Sequence, residues 1–471
     1  MYIEMGRKKK KIVHDLEIID IAAEGKAIGK IEGKVIFVPG AIPGDVVDVQ
    51  LNRVKKTHAE GMVLAFKKYS EDRIEPECEH FGVCGGCKWQ QLPYKNQIAH
   101  KHQQVVDQFA RIGHIEIEET RPILGSKEIY FYRNKMEYTF SAKRWLTKEE
   151  IDSDEDLGER RALGFHIPKL FDKIVDVTKC HLQDAYSNEI RNEIRDFCFK
   201  NDYSFFDIRE QHGLMRNLIV RNTQDEQLMV IVSFFEPDKE KIQALMEYID
   251  KTFPQITSLM YVVNEKRNDT ILDQDIILFS GEDHMLESME DLKFKVGPKS
   301  FYQTNAKQAY ELYKITRDFA DLKGEEVVYD LYTGTGTIAL FIAKQAKKVV
   351  GVEYVEAAIE DAKINAKFNN IENTDFFAGD MKDILNDEFI QQNGQPDVII
   401  VDPPRAGMHQ DVVNTILRAN PKRIVYVSCN PATQARDIAL LNDAYQTKII
   451  QPVDMFPHTH HVENVALLER R

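Results

Sequence analysis

Several polar side chains with catalytic potential stand where buried strands are predicted to end. Cys429 follows an apolar run, within Ser428–Pro431 (Ser-Cys-Asn-Pro), and Asp402 follows another, within Asp402–Arg405 (Asp-Pro-Pro-Arg). A thiol at a strand end beside a cleft is a candidate nucleophile, although an isolated cysteine is more often a small buried apolar side chain. Consecutive prolines cannot donate hydrogen bonds to a neighbouring strand, so they direct the chain out of the sheet at the edge where ligands bind. The alternative interpretation of this motif is a rigid loop with a capping aspartate.

A second set of residues has the spacing of a nucleotide-like cofactor site. The stretch Asp330–Thr337 (Asp-Leu-Tyr-Thr-Gly-Thr-Gly-Thr) leads from an apolar run into a helical pattern, and its glycines let the backbone approach a ligand at the helix N-terminus. Glu353 ends the next apolar run, 19 residues after Gly334, where a carboxylate can hold two ribose hydroxyls. This arrangement fits a dinucleotide and S-adenosylmethionine (SAM) equally well.

Four further cysteines have the spacing of a metal-ligand set. Cys78, Cys84 and Cys87 form a C-x5-C-x2-C pattern, and Cys180 follows later in the chain. Six cysteines in 471 residues are not typical of a disulfide scaffold. Four thiolates suit structural zinc as well as a [4Fe–4S] cluster, so the spacing leaves both metals open.

The elements that must position these residues fall into three parts. Five short strands punctuated by glycine predict an OB-like β-barrel over the first 70 residues, and mixed strands and helices follow between about 120 and 290. A helical pattern over 94–113 could belong to either neighbouring part. After about 290, apolar runs alternate with helices and predict a parallel, doubly wound sheet. Its predicted strands are Val327–Leu331, Lys348–Glu353, Asp375–Ala378, Val398–Asp402 and Arg423–Ser428.

Composition narrows the class of protein. A hydrophobic fraction of 43% and a charged fraction of 29% are those of a globular chain, and 471 residues imply several domains. The sequence contains no apolar run of 18 residues and opens without a secretory signal, so we expect a cytoplasmic protein without a membrane span. The net charge is −14, yet residues 1–70 carry 13 lysines and arginines against 9 acids. This local excess makes the barrel a candidate RNA-binding domain, with a plain small β-domain as the alternative.

Taken in order, the motifs resemble the RNA uracil-5-methyltransferases of the RumA/TrmA type. The resemblance covers about 165 residues in six segments: Phe301–Asn305, Asp330–Tyr332, Gly351–Glu353, Asp402–Arg405, Ser428–Pro431 and His461–Asn464. It implies a SAM site formed by Gln303, Tyr332, Glu353 and Asp402, a nucleophile at Cys429 and a base at Glu463. Some members have asparagine where Thr337 stands, so no ligand role is carried over to Thr337.

The chemistry of this family explains the residue types. C5 of uracil is a poor nucleophile until a thiolate, here Cys429, adds to C6 and makes C5 enolate-like. C5 then displaces the methyl group of SAM, and a carboxylate, here Glu463, removes the C5 proton so that the enzyme is released. The uridine must leave its stack to enter the cleft. Without the resemblance, Glu463 would be taken for a solvated acid at a strand end.

The resemblance also extends to the other parts of the chain. It implies a TRAM domain at 1–72, a central domain at 73–290 and a Rossmann-like methyltransferase domain at 291–471. In the central domain it implies a [4Fe–4S] cluster, with zinc as the alternative, bound by Cys78, Cys84, Cys87 and Cys180. A chain with both TRAM domain and cluster is more similar to the members that act on 23S ribosomal RNA, with transfer RNA as the alternative substrate. We expect a monomer whose partner is RNA.

Two other functions remain as alternatives, and two basic stretches of the central part have two interpretations. A cytosine-5-methyltransferase would place a Pro-Cys after the aspartate motif, where this chain has Pro-Pro-Arg; a noncatalytic RNA-binding iron–sulfur protein would not need Cys429 and Glu463. In the central part, Tyr132–Lys135 and Arg216 to Arg221 could hold RNA backbone or pair with nearby acids.

Overall fold

The N-terminal part is a closed five-stranded barrel, as predicted. In the computed structural model, which describes residues 11–153 and 156–471, its strands close in the order β1-β2-β3-β5-β4. Val47 and Val49 fill the interior, and β4 and β5 approach so closely that a Cβ on Gly61 would lie 2.3 Å from Cγ1 of Val49. The basic residues 7–10 lie outside the described residues. The strands are β1 (Ile12–Ile21), β2 (Ala27–Ile31), β3 (Lys34–Val38), β4 (Val46–Val54) and β5 (His58–Lys68).

The predicted helix over 94–113 consists of α1 (Tyr94–Gln108) and a π-helical turn, Phe109–Gly113. Val105 and Phe109 are fully buried in the apolar cluster of the C-terminal sheet, so this helix packs on that sheet. Ile112, which a regular helix would bury on the same face, is 46% exposed. The wider π turn rotates the side chains that follow it, which accounts for the difference.

The central part is a seven-stranded sheet with two long helices. Its strand order is β13-β12-β11-β10-β7-β8-β9, and most residues of β10 and β11 are buried. The side chains of Asp184 and Asp238 cap the N-termini of α3 and α4, which pack on the sheet. The elements up to this point are β6 (Ile117–Thr120), β7 (Lys135–Ser141), α2 (Lys148–Asp152), β8 (Ala162–Ile167), β9 (Leu170–Asp176), α3 (Ala185–Lys200), β10 (Met215–Asn222), β11 (Leu228–Phe234), α4 (Lys239–Thr252), β12 (Ser258–Val263) and β13 (Ile277–Gly281).

The C-terminal part begins with a hairpin and continues as alternating strands and helices. The five predicted strands lie within one residue of their predicted bounds. Along the described parts of the chain, no helix is long and apolar enough to cross a membrane. The elements are β14 (Met285–Met289), β15 (Leu292–Val296), α5 (Ala306–Ala320), β16 (Val327–Leu331), α6 (Thr337–Ala343), β17 (Lys348–Glu353), α7 (Glu356–Phe368), β18 (Thr374–Ala378), α8 (Met381–Ile384), α9 (Asp387–Asn393), β19 (Val398–Val401), α10 (Gln410–Ala419), β20 (Arg423–Ser428), α11 (Pro431–Leu441), β21 (Tyr445–Val453) and β22 (Glu463–Arg470).

The C-terminal sheet is mixed, whereas the sequence pattern predicted a parallel one. Its order is β18-β17-β16-β19-β20-β22-β21-β6, and the five strands from β18 to β20 are parallel. The chain leaves β20 through α11 and enters β21 one position further out, so β22 fills the gap antiparallel to both neighbours. The edge strand β6 comes from the stretch between the barrel and the central sheet.

Candidate active site and cysteine cavity

The register of β20 and β22 brings Cys429 and Glu463 together. Ser428 pairs with Asn464, so the next residues toward the strand ends are Cys429 on one strand and Glu463 on the other. β19 runs parallel to β20, which places Asp402 at the same edge of the sheet. A thiol and two carboxylates from three neighbouring strands therefore meet at the carboxyl edge of the parallel strands, where ligands bind in open α/β sheets.

Burial and mutual repulsion raise the pKa values of all three groups. Burial raises the pKa of Asp402 to about 7, with the charge of Asp330 adding to it, and that of Glu463 to about 8, with the charge of Asp402 adding to it. Burial and the charges of Glu463 and Asp402 raise the pKa of the Cys429 thiol to about 11. Such shifts are characteristic of reactive sites.

Arg405 provides the positive charge next to the thiol. Its guanidinium interacts with Cys429 and partly offsets the rise in the thiol's pKa. The main-chain oxygen of Arg405 accepts hydrogen bonds from Asn430 Nδ2 at 2.9 Å and Thr433 Oγ1 at 3.2 Å, so the N-terminal turn of α11 fixes the loop that carries it. Arg405 belongs to the Asp402–Arg405 motif, which by itself assigned no role to the arginine.

The glycine loop between β16 and α6 has the shape of a cofactor cradle. Gly334 and Gly336 have φ of +55° and +77°, and a Cβ on Gly334 would project into open space within that cradle. The Glu353 carboxylate accepts hydrogen bonds from Gly334 N at 3.2 Å and Val355 N at 3.0 Å, which fixes it at the end of β17. An open backbone at a helix N-terminus beside a fixed carboxylate fits an adenosyl group.

Asp330 fixes the start of this loop from within the sheet. One carboxylate oxygen, Oδ2, accepts hydrogen bonds from Thr333 Oγ1 at 2.5 Å and Ala339 N at 3.1 Å. The other, Oδ1, is buried without a hydrogen-bond partner among the described residues. Burial raises the pKa of Asp330 to about 7.

Tyr332 and Gln303 reach the cleft by different routes. Tyr332 adopts φ +65°, uncommon for a residue with a side chain, and its N–H donates to Val352 O at 2.9 Å. Gln303 lies in the loop before α5, where its side chain contacts the hydroxyl of Tyr313. Tyr313 itself was missed: it occupies a core position of α5, yet its hydroxyl lies in the field of Asp402, Asp330 and Glu463, and burial raises its pKa. No sequence signal distinguished it from a core tyrosine.

The four clustered cysteines meet at a second location. Cys78, Cys84, Cys87 and Cys180 line one cavity of about 950 Å³ between the loop after the barrel and the end of the β8–β9 hairpin. Asn188 anchors the Cys180 backbone, accepting from its N–H at 2.7 Å and donating to its oxygen at 3.0 Å. Arginine and lysine side chains also line the cavity, among them Arg133, Lys135 and Lys179.

The thiols influence one another through the cavity. Burial, with the neighbouring thiols adding to it, raises the pKa of Cys84 to about 11 and that of Cys87 to about 12. As the side chains stand, no three cysteine, histidine or carboxylate side chains within the described residues are arranged as a metal site. Four thiols on one cavity nevertheless have the chemistry of a [4Fe–4S] or zinc ligand set, so the residues fit such a group in identity and place.

Comparisons with known proteins define the class. The family described as tRNA (Uracil-5-)-methyltransferase matches residues 222–471, and the TRAM domain matches residues 13–64. An uncharacterized RNA methyltransferase of Bacteroides thetaiotaomicron is 59% identical over 96% of this chain and 100% of its own length. Another from Porphyromonas gingivalis is 55% identical over 97% of this chain and 99% of its own. The chain belongs to the RNA uracil-5-methyltransferase family and is a SAM-dependent RNA methyltransferase.

A solved structure supports the same assignment at the level of the fold. The Pyrococcus abyssi tRNA (uracil-54, C5)-methyltransferase, solved in complex with S-adenosyl-L-homocysteine (SAH), superposes with a TM-score of 0.74 at 30% identity. The match covers 96% of this chain and 99% of that one. The expected TRAM barrel and methyltransferase fold are thereby confirmed, while the iron–sulfur site remains a prediction.

Proposed function

We propose that the protein transfers the methyl group of SAM to C5 of a uridine in 23S ribosomal RNA through a covalent bond between Cys429 and C6 of the base. The observation that carries this proposal is the pairing of β20 with β22, which sets the Cys429 thiol beside the Glu463 carboxylate. Addition to C6 and removal of the C5 proton need a nucleophile and a base on one substrate ring, and these two groups are adjacent.

Each residue has one task in the reaction. The Cys429 sulfur bonds to C6, and the electrons of the C5–C6 double bond make C5 the nucleophile. The Arg405 guanidinium, which lowers the pKa of the thiol, favours the thiolate that must attack. C5 takes the methyl group from SAM and SAH is left. Ionised Glu463 then accepts the C5 proton, and the Cys429 sulfur leaves C6 as the thiolate, which restores the C5–C6 double bond.

The cofactor residues are Gln303, Tyr332, Glu353 and Asp402. SAM supplies an electrophilic methyl group when bound. The fixed Glu353 carboxylate suits the ribose hydroxyls, and Asp402 lies between the glycine loop and Cys429, where it can face cofactor and uracil together. Gln303, which contacts Tyr313, and Tyr332, at the start of the glycine loop, would complete the cofactor site.

A [4Fe–4S] cluster held by Cys78, Cys84, Cys87 and Cys180 completes the proposal, with zinc as the alternative. A cluster would supply iron–sulfur bonds to four neighbouring thiolates that would otherwise repel one another. Its role would be structural, because these cysteines join the loop after the barrel to the central sheet. The corresponding domains are 1–72, 73–290 and 291–471, except that the helix over 94–113 and strand β6 pack with the last of them.

Transfer RNA is the second candidate substrate. The likeness to the Pyrococcus abyssi enzyme, whose name gives a tRNA uridine as its target, favours it and extends over 96% of this chain. The combination of a TRAM domain with a cysteine cavity supports ribosomal RNA through the family resemblance.

Nucleoside mapping in cells separates the two substrates. RNA from strains with and without the gene is fractionated into 23S ribosomal RNA and transfer RNA, and 5-methyluridine is quantified in each by mass spectrometry. We expect loss from 23S RNA alone, restored by the wild-type gene and not by one carrying Cys429→Ala. Loss from transfer RNA alone would establish the second candidate, and no loss from either would overturn the proposed function.

A further inference from the structure

The loop between β15 and α5, residues 297–304, carries Gln303 and has no regular secondary structure of its own. Phe301 within it is 68% exposed, whereas Tyr302 is 7% exposed and packs in the apolar core, so packing holds the loop at Tyr302 and the main chain on either side depends on hydrogen bonds. An unfixed loop would lose conformational entropy each time it closed on a cofactor, which would weaken binding.

Arg221 braces the first half of this loop from the central sheet. This arginine is 4% exposed, and its Nη1 donates to the main-chain oxygens of Gly297 at 2.9 Å and Ser300 at 3.2 Å. The Ser300 hydroxyl in turn accepts from Gly297 N at 3.0 Å and donates to Asp361 Oδ2 on α7 at 2.7 Å. Arg221 therefore does not hold RNA backbone; it is buried on carbonyl oxygens of the loop.

Asn134 holds the second half. Its side-chain Nδ2 donates to the main-chain oxygen of Gln303 at 3.0 Å, and its own N–H donates to Thr304 O at 2.8 Å. Asn134 immediately precedes β7, and its oxygen accepts from Asn222 N at 2.9 Å on the neighbouring strand β10. Both braces thus come from the same end of two adjacent strands. Both bond to the main chain and not to the Gln303 side chain, whose contact is the Tyr313 hydroxyl.

We infer that Asn134 and Arg221 are positioning residues that hold Gln303 in the orientation required to bind SAM. The inference rests on the proposed function, in which Gln303 contacts the cofactor. It predicts that removing either brace weakens cofactor binding without removing any group from the cleft.

Arg216 is a matched control on the same strand. It is 3% exposed and donates to three main-chain oxygens at 2.6, 2.6 and 2.7 Å, those of Asn264, Lys266 and Asn268. These belong to the loop after β12, which carries none of the proposed cofactor residues. Arg216→Met and Arg221→Met therefore remove the same kind of buried guanidinium from carbonyl oxygens, and only one of them bears on Gln303.

The test measures SAH binding to the full-length protein by calorimetry, together with kcat and KM for SAM on an RNA substrate. We expect Arg221→Met and Asn134→Ala to weaken SAH binding by about tenfold, the effect of losing one or two net hydrogen bonds. KM for SAM should rise in proportion while kcat changes less, since the catalytic groups are intact. Arg221→Lys, which keeps a donor, should recover part of the affinity.

The control decides between positioning and a general structural role. Arg216→Met should lower the melting temperature about as much as Arg221→Met and leave SAH affinity within about twofold of wild type. Unchanged SAH affinity in both Arg221→Met and Asn134→Ala, or an equal loss in Arg216→Met, would overturn the inference. If Arg221→Met does not fold, Asn134→Ala carries the test, because its side chain is only partly buried. Failure of the wild-type protein to bind SAH would overturn the proposed function itself.

Discussion

The cleft at the edge of the C-terminal sheet and the cysteine cavity both contain buried thiols, and they differ in what surrounds the sulfur. Cys429 faces two carboxylates and one guanidinium, which belong to separate strands and loops. In the cavity, each of the four thiols faces other thiols, with lysines and an arginine in the same lining. Burial raises the pKa of the thiols in both places. The neighbouring groups indicate different uses. In the cleft, one reactive sulfur lies beside a base, whereas the four sulfurs of the cavity suit a cationic metal group.

Removing the reactive thiol should have the largest effect. We expect Cys429→Ala to reduce methyl transfer to background, since no other group at the edge can add to C6, while SAH still binds. Cys198→Ala is the control, because Cys198 is a fully buried thiol in the apolar cluster of the central sheet. It should keep activity and cost about 1 kcal/mol of stability. Methyl transfer by Cys429→Ala above background would show that Cys429 is not the nucleophile.

Removing a cavity thiol should reduce the metal content and loosen the structure of the central part, with less effect on SAM binding. Anaerobically purified wild-type protein should be brown with about four irons per chain, and Cys84→Ser should lose most of the iron. Hydrogen exchange should increase around Cys84 and Cys180 in that variant before SAH affinity changes. Stoichiometric zinc without iron in the wild-type protein would contradict the cluster.

The charges around Cys429 should appear in its alkylation rate. Glu463→Gln removes a negative charge that raises the thiol's pKa, so the fraction of thiolate at pH 8 should increase, tenfold for each pKa unit. Arg405→Gln removes the positive charge and should have the opposite effect. The readout is iodoacetamide modification of the Cys429 peptide, quantified by mass spectrometry against pH. Equal rates in the wild type and both variants would mean that these charges do not act on the thiol.

The barrel should contribute the smallest and most salt-dependent effect. Arg53 near the end of β4, and Lys55 and Lys56 in the turn that follows, are exposed. Changing all three to glutamine should weaken RNA binding and reduce the slope of log affinity against log salt by about 0.7 for each lost phosphate contact. The melting temperature should not change. An unaltered slope would assign RNA binding to other surfaces, including the lysines of the cysteine cavity.

Sequence patterns predicted the strands of the C-terminal sheet because those strands are buried on both faces. Continuous apolar runs such as Val398–Val401 leave little choice of element or bounds. The same patterns do not encode strand direction, so a strand over Val465–Leu468 was expected but its antiparallel pairing as part of β22 was not. They also missed β6, whose sequence Ile-Glu-Glu-Thr lies on an exposed edge.

The residues of the candidate site were easier to predict from the sequence than the residues that hold them in place. Cys429 and Asp402 follow strand ends, which can be predicted from a sequence, whereas Glu463 begins β22 and was identified through the family resemblance. Arg221 was interpreted as holding RNA backbone or pairing with nearby acids, whereas its guanidinium is buried and donates to main-chain oxygens of a distant loop. Such partners are separated by more than 70 residues and no local pattern records them. The position of Tyr313 beside the site could not be predicted for the same reason, since Asp402 and Glu463 are distant from it in the sequence.

The covalent adduct is the central claim, and trapping it is the most direct test. Glu463→Gln keeps the nucleophile but cannot accept the C5 proton, so addition and methylation should proceed and elimination should stop. With RNA and the methyl group of SAM carrying different labels, a denaturing gel should show a protein band with both labels for Glu463→Gln and none for Cys429→Ala. Turnover of Glu463→Gln at the wild-type rate without such a band would contradict the account.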